Sequence, residues 1–279
     1  VPSWAPPLIR LLLVALLVSA VLITVVWMGQ RKLIYFPEGG PLPPPDTFVP
    51  GGREVTFRTE DGVWLGAWFF PAVGPSGDQA PVVLVAPGNG GNRTARVPLA
   101  AALAARGVAA LLVDYRGYGG NPGKPGEMGL YRDIHAAYRH LTDEMEVPPN
   151  RLFYLGESLG TAVVSELAMT HPPAGLILRS PLVDLASAGK AHYPYLPVGV
   201  LLRDRFPVAE RVAALRVPTV VVYGTADSIV PPEQSREVAR RAAGPTRLVA
   251  VPGADHNDRA LLDGPQLIDA VVELAGTPR

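Results

Sequence analysis

Hydrophobic and polar positions fall into three successive patterns along this chain. From Leu11 to Met28 no charged residue interrupts the apolar run, and Ser19 and Thr24 are its only hydroxyls. A helix over this run spans about 27 Å, close to the roughly 30 Å hydrocarbon core of a bilayer. From Pro37 to Gly52 the pattern gives way to prolines and glycines, which read as a semi-stiff spacer. Beyond it, short β-rich runs alternate with helical stretches. Arg53 to Thr59 and Val63 to Phe70 read as a hairpin about the turn Glu60-Asp61-Gly62. Further strands are expected near 82–86, 108–113, 151–155, 175–179, 219–223 and 246–251. Helices are expected over Ala95 to Arg106, Gly126 to Glu146 and Thr161 to Met169. Strand runs separated by helical stretches imply an α/β fold with a mostly parallel, eight-stranded sheet covered by helices on both faces. The expected organisation is an anchor over 1–30, a linker over 31–52 and an α/β domain over 53–279, with a cap insertion at about 181–217.

Charge adds little direction. Twenty-five basic residues balance 25 acidic ones, so nothing points to nucleic acid as a partner. The chain has no cysteine, which removes disulfides, a thiol nucleophile, zinc–thiolate sites and cysteine lipidation. The apolar run is bracketed by Trp4 and Trp27, with Arg10 on one side and Arg31 and Lys32 on the other. This favours a single-pass membrane helix but leaves open which side the domain occupies. The competing reading is a leader cut after Val18-Ser19-Ala20, which would leave Val21 to Met28 as an exposed apolar tail.

The candidate chemistry centres on Gly156-Glu157-Ser158-Leu159-Gly160. Arg151 to Leu155 before it reads as a buried strand, and Thr161 to Met169 after it as a helix. Strand, sharp turn and helix together hold a serine hydroxyl on a strained turn above the sheet edge. The glycines are needed because a β-carbon at position 156 or 160 would clash in so tight a turn. A serine hydroxyl is a weak nucleophile and needs a base, with a carboxylate to orient that base. Of the five histidines, His135 and His140 lie in a helical stretch, His171 in a helix-stop context and His192 in a Pro/Tyr-rich segment. Surface or capping roles suit these four. His256 instead follows the strand-like run Arg247 to Val251 and the turn Pro252-Gly253-Ala254-Asp255. The carboxylate candidate is Asp227, after the β-rich run Thr219 to Tyr223 and the turn Gly224-Thr225-Ala226; Asp255 is the alternative.

With these motifs in place, the chain from about Arg31 onward resembles the α/β-hydrolase superfamily. In particular it is similar to the single-pass, membrane-anchored alpha/beta hydrolase domain branch of serine hydrolases. The likeness rests on Arg31-Lys32-Leu33-Ile34-Tyr35-Phe36-Pro37, on Gly88-Asn89 with Gly91-Asn92, and on Asp114-Tyr115-Arg116-Gly117-Tyr118-Gly119. It rests equally on the serine turn and on the Asp227 and His256 loops. The order Ser158, Asp227, His256 is that of α/β hydrolases. The resemblance implies a catalytic triad of these three residues and an oxyanion hole from the amides of Leu159 and Asn89. Asp114 and Arg116 are expected to brace their turn. The chain departs from the family at Pro87, where a histidine is usual, and that bears on the loop's geometry.

No cofactor and no metal is implied. The Pro87 to Arg93 loop lacks the Gly-Lys-Ser/Thr of a phosphate loop, and no dinucleotide fingerprint follows the first strand of a βαβ unit. Within Pro181 to Val217, Tyr193 to Val198 and Val200 to Leu202 could line an apolar slot or simply pack the cap onto the domain. An apolar cap beside a membrane helix suggests a small-molecule acyl or lipid-like substrate, cleaved as an ester or thioester. The alternatives are a serine peptidase or amidase, and a catalytically idle, membrane-tethered interaction module.

Overall fold

The structure is a computed structural model that describes residues 6–74 and 77–276; Trp4 lies outside them. Eight strands form one sheet: β1 (Arg53–Arg58), β2 (Trp64–Phe70), β3 (Val82–Ala86), β4 (Ala109–Val113), β5 (Leu152–Glu157), β6 (Gly175–Arg179), β7 (Thr219–Gly224) and β8 (Thr246–Val251). Their spatial order is β8-β7-β6-β5-β3-β4-β2-β1. β1 pairs antiparallel with β2 and β2 antiparallel with β4, while every other pairing is parallel. The central strands β3 to β7 are buried at every position, which explains why they read as unbroken apolar runs rather than alternating ones.

Alternate residues of each strand feed two cores. Leu84, Leu111, Tyr154 and Val221 face one core with Leu130, Ile134, Val163, Leu167, Val212 and Val238. Val83, Val85, Leu155, Ile177 and Val222 face the other with Leu99, Leu103, Leu267 and Val271. The helices supplying these partners follow the strands, as crossover connections require. After the membrane-length helix α1 (Pro7–Gly29), they are α2 (Val97–Ala105), α3 (Glu127–Arg139) and α4 (Gly160–Thr170). Within the cap lie α5 (Leu185–His192), α6 (Val198–Leu201) and α7 (Val208–Val212), followed by α8 (Pro232–Arg241), α9 (Arg259–Leu262) and α10 (Pro265–Leu274). The expected helix over 126–146 ends earlier, at Arg139, and passes into a wide turn over His140–Glu144. The result is a three-layer α/β-hydrolase fold.

α1 is long and apolar enough to cross a membrane, and its residues are exposed except for the half-buried Gly29 at its carboxyl end. The segment after it is not a loose spacer. Phe36–Pro37 pairs in parallel with Gly90–Gly91, Tyr35 is buried, and Pro45 and Val49 sink into the domain surface. Backbone groups that a free linker would leave to water are satisfied here by the loop after β3.

The sheet order reverses at β3, whose neighbours are β4 on one side and β5 on the other. The loops leaving the carboxyl ends of β3 and β5 therefore diverge and open a crevice between them, the usual place for a ligand in an open α/β sheet.

Candidate active site

Ser158 lies one residue past β5, at the crevice. Its φ is +50°, in the left-handed region that a serine rarely adopts. Gly156 and Gly160 make the turn possible. A β-carbon on Gly156 would lie 2.6 Å from the Gly160 carbonyl oxygen, and one on Gly160 would overlap the carbonyl oxygens of Ala86 and Pro87. α4 begins at Gly160, so its N-terminal end and the positive pole of its dipole lie beneath the serine.

Asp227 and His256 are joined directly. The Asp227 carboxylate accepts from Ile229 N (3.0 Å) and Val230 N (2.8 Å) through Oδ1, and its Oδ2 lies 2.7 Å from His256 Nδ1. Burial pushes this carboxyl up, but the imidazole and the two amides outweigh it and hold Asp227 below the usual carboxylate range. A carboxylate at Nδ1 calls for the proton there, which leaves Nε2 as the free base. Asp255 does not compete for the ring. Its Oδ1 takes Ser228 N at 2.7 Å, and its own amide is held by Asp258.

Ser158 and His256 are linked through Arg179 at the end of β6. The Arg179 carbonyl accepts from Ser158 N (2.8 Å), while its Nη1 donates to the His256 carbonyl oxygen (2.8 Å). Its Nη2 lies 3.4 Å from Glu157, which also receives Arg96 Nε at 2.9 Å. Burial pushes the Glu157 carboxyl up, and the two guanidinium groups reverse this, leaving it below the usual range. Ser158 Oγ and the imidazole share no hydrogen bond of 3.5 Å or less among the described residues.

Sequence reasoning missed Arg179, Glu157 and Arg96. The available signal was Glu157 itself, because a carboxylate inside a buried turn demands cationic partners. The Asp114 and Arg116 turn is braced as expected. Arg93 lies 2.8 Å from Asp114, and Arg116 reaches both Asp133 and Asp61. Of the other histidines, His135 meets Glu166 and His171 stacks on Tyr138, while His140, against the expected surface role, is buried beside Phe57 and meets Glu144. His192 is exposed, as expected of a surface residue, and also borders the crevice, with its Nε2 2.7 Å from the Ile229 carbonyl oxygen.

The crevice is a cavity of about 460 Å³. Ser158, Leu159 and Asn89 line it together with apolar cap residues, including Leu182, Leu185, Leu196 and Leu202. The Asn89 side chain donates to the Ile34 carbonyl oxygen (2.6 Å), and the Asn89 carbonyl accepts from Tyr118 Oη and Phe36 N, both at 2.8 Å. These contacts fix the loop despite the proline at position 87. The backbone N–H groups of Leu159 and Asn89 have no hydrogen-bond partner among the described residues. No acidic side chain lines the cavity among the described residues.

Comparison with known proteins agrees with this fold. The chain is 49% identical over 93% of its length to an uncharacterized protein of Mycobacterium tuberculosis (strain H37Rv), of which it covers 91%. Over 52% of its length it is 32% identical to the alpha/beta hydrolase domain-containing protein 17B of Homo sapiens, covering 49% of that protein. An esterase of Pyrococcus furiosus superposes with a TM-score of 0.69 at 19% identity, over 87% of this chain and 96% of that one. The chain belongs to the α/β-hydrolase superfamily. Within it, a family model described as serine aminopeptidase, S33, matches residues 77–207 of this α/β hydrolase. That match ends before the Asp227 and His256 loops, so those positions rest on the geometry above.

Proposed function

We propose that this α/β hydrolase is a membrane-anchored serine hydrolase that cleaves an ester or thioester of an acyl or lipid-like substrate. The observation that carries the reading is the placement of Ser158 in an apolar cavity beside two unpaired amides. The Asp227–His256 pair stands at the same sheet edge. Ser158 Oγ attacks the carbonyl carbon while His256 Nε2 accepts its proton, with Asp227 steadying the imidazolium. The amides of Leu159 and Asn89 receive the developing oxyanion, each such donor lowering the barrier by about 3 to 4 kcal/mol. His256 then protonates the leaving oxygen or sulfur, and a water molecule, deprotonated by the same imidazole, releases the acyl group.

α1 serves as the anchor. The full chain is expected to stay with the membrane fraction through alkaline carbonate washing, and release of a shortened soluble form would identify a cleaved leader instead.

The catalytic assignment is tested with a fluorophosphonate probe. The parent chain should be labelled and Ser158→Ala should not; labelling that persists in the variant would identify a different nucleophile. The description of the matching family model favours a second reading, an aminopeptidase. A cavity without a carboxylate to hold a substrate ammonium weighs against it. Turnover of aminoacyl p-nitroanilides well above that of p-nitrophenyl esters would reverse the choice. A probe-inert chain that turns over neither would leave the interaction module.

A further inference from the structure

The cavity has a wall that does not belong to the α/β domain. Val26, Trp27 and Gln30, at the end of the membrane-length helix, line it together with Leu33 and the cap. Gln30 is buried and fastened on both sides. Its Nε2 donates to the carbonyl oxygens of Trp27 (2.8 Å) and Leu201 (3.2 Å), and its Oε1 accepts from Arg203 N (2.8 Å). The Arg203 guanidinium lies 5.0 Å from the centre of the Trp27 ring. One turn further on, Arg31 and Tyr35 both bond the buried carboxylate of Asp204. The end of α1 is therefore built into the cap by specific contacts.

The mouth of the cavity has an unusual rim. Trp27, Leu33, Tyr193, Leu196 and Ile229 line the interior and are each more than 40% exposed on their outer side. Apolar side chains clustered and exposed around one opening mark a surface that meets another apolar phase. The same opening adjoins a helix whose apolar residues are exposed on every face. A bilayer around α1 covers both at once.

From this we infer that the last turn of α1 forms one wall of the acyl-binding slot and that the slot opens sideways at the bilayer surface. A single long acyl chain of a membrane-dissolved substrate then passes from the lipid to Ser158 without crossing water. Transfer through water exposes each methylene at about 0.8 kcal/mol, so a lateral route favours long chains. The inference rests on the serine-hydrolase reading for its substrate and on the geometry of the slot for its route.

The test uses the full chain in lipid nanodiscs with p-nitrophenyl butyrate and p-nitrophenyl laurate. Trp27→Ala should lower the ratio of laurate to butyrate kcat/KM by about tenfold, equivalent to losing contact with about two methylenes. Leu17→Ala, in the same helix but away from the slot, should leave that ratio unchanged. An unchanged ratio in Trp27→Ala would overturn the wall. For the parent, the laurate rate should follow the ester's mole fraction in the lipid as more lipid is added; a rate that follows bulk concentration would overturn lateral entry.

A second readout needs no hydrolysis. A diazirine-bearing long-chain fatty acid mixed into the lipid should crosslink Ser158→Ala at Leu182 to Leu185, deep in the slot. Ala188→Trp, which fills the slot, should suppress that crosslink, whereas crosslinks confined to α1 would overturn the inference. Crosslinking at depth in Ser158→Ala, together with a parent protein that the fluorophosphonate probe fails to label, would sink the hydrolase reading and leave the slot standing.

Discussion

At Ser158 the backbone holds φ at +50°, a conformation that costs a residue other than glycine about 1–3 kcal/mol. The pentapeptide made that strain legible, because two glycines around a serine between a strand and a helix have few other uses. Asp227 was legible for a similar reason, as the first carboxylate after a β-rich run. The proposed triad predicts that Asp227→Asn lowers kcat by about 10³–10⁴-fold, since the wrong imidazole tautomer would face the serine. Steady-state ester hydrolysis checks it; a loss below tenfold would mean that the Asp227–His256 bond has no catalytic part. Two other buried carboxyls carry opposite pH signatures. Glu157 is held below its ordinary range, so its contribution to stability is complete above that range and disappears as pH falls through the lowered value. Asp114 is pushed up to about 6 because burial outweighs its pairing with Arg93. Its ionised form therefore burdens the fold, and that burden shrinks as pH falls through 6 toward the unfolded value of about 3.9. The Tm of Asp114→Asn relative to the parent should thus be more favourable at pH 7.5 than at pH 5. A difference that moves the other way in differential scanning fluorimetry would contradict the assignment.

Among the elements, β5, the serine turn and α4 form one unit in which sequence and packing agree. A β-carbon on Gly160 would overlap the carbonyls of Ala86 and Pro87 at the end of β3. Gly160→Ala is therefore expected to destabilise the fold by about 3 kcal/mol or more, through displacement of β3 from the turn. A variant whose Tm stays within a few degrees of the parent would show that the turn can relax. The central strands β3 to β7 were legible because a strand buried on both faces must be apolar throughout, and few other segments of that length are. Element ends were less so. The helix expected to reach Glu146 stops at Arg139, because hydrogen bonding shifts to a wider turn at a point where side-chain pattern carries no signal. The segment read as a spacer was misjudged for a related reason. Its binding to the domain runs through backbone pairing of Phe36–Pro37 with Gly90–Gly91, and composition does not encode a backbone partner.

Across the whole molecule, the segment over 30–38 touches the cap on one side and the loop of Asn89 on the other. Asp204 is its hub, holding both Arg31 and Tyr35. Asp204→Asn is expected to speed hydrogen exchange about tenfold or more at the amides of Phe36 and Glu38, whose acceptors are the Asn89 and Gly91 carbonyls. Unchanged protection there would mean that the domain alone holds the segment. The sequence by itself determined the alternation of strands and helices, the strained serine and the candidates in order along the chain. Those features are local: they depend on periodicity, on a missing β-carbon and on residue type. Only the tertiary structure decided that Arg179 links the serine turn to the His256 loop, that Asp227 rather than Asp255 meets the imidazole, and that the end of the membrane-length helix lines the cavity. Each of these is a contact between residues far apart in the chain, fixed by how the layers pack, and a one-dimensional pattern carries no record of which distant group a side chain will meet.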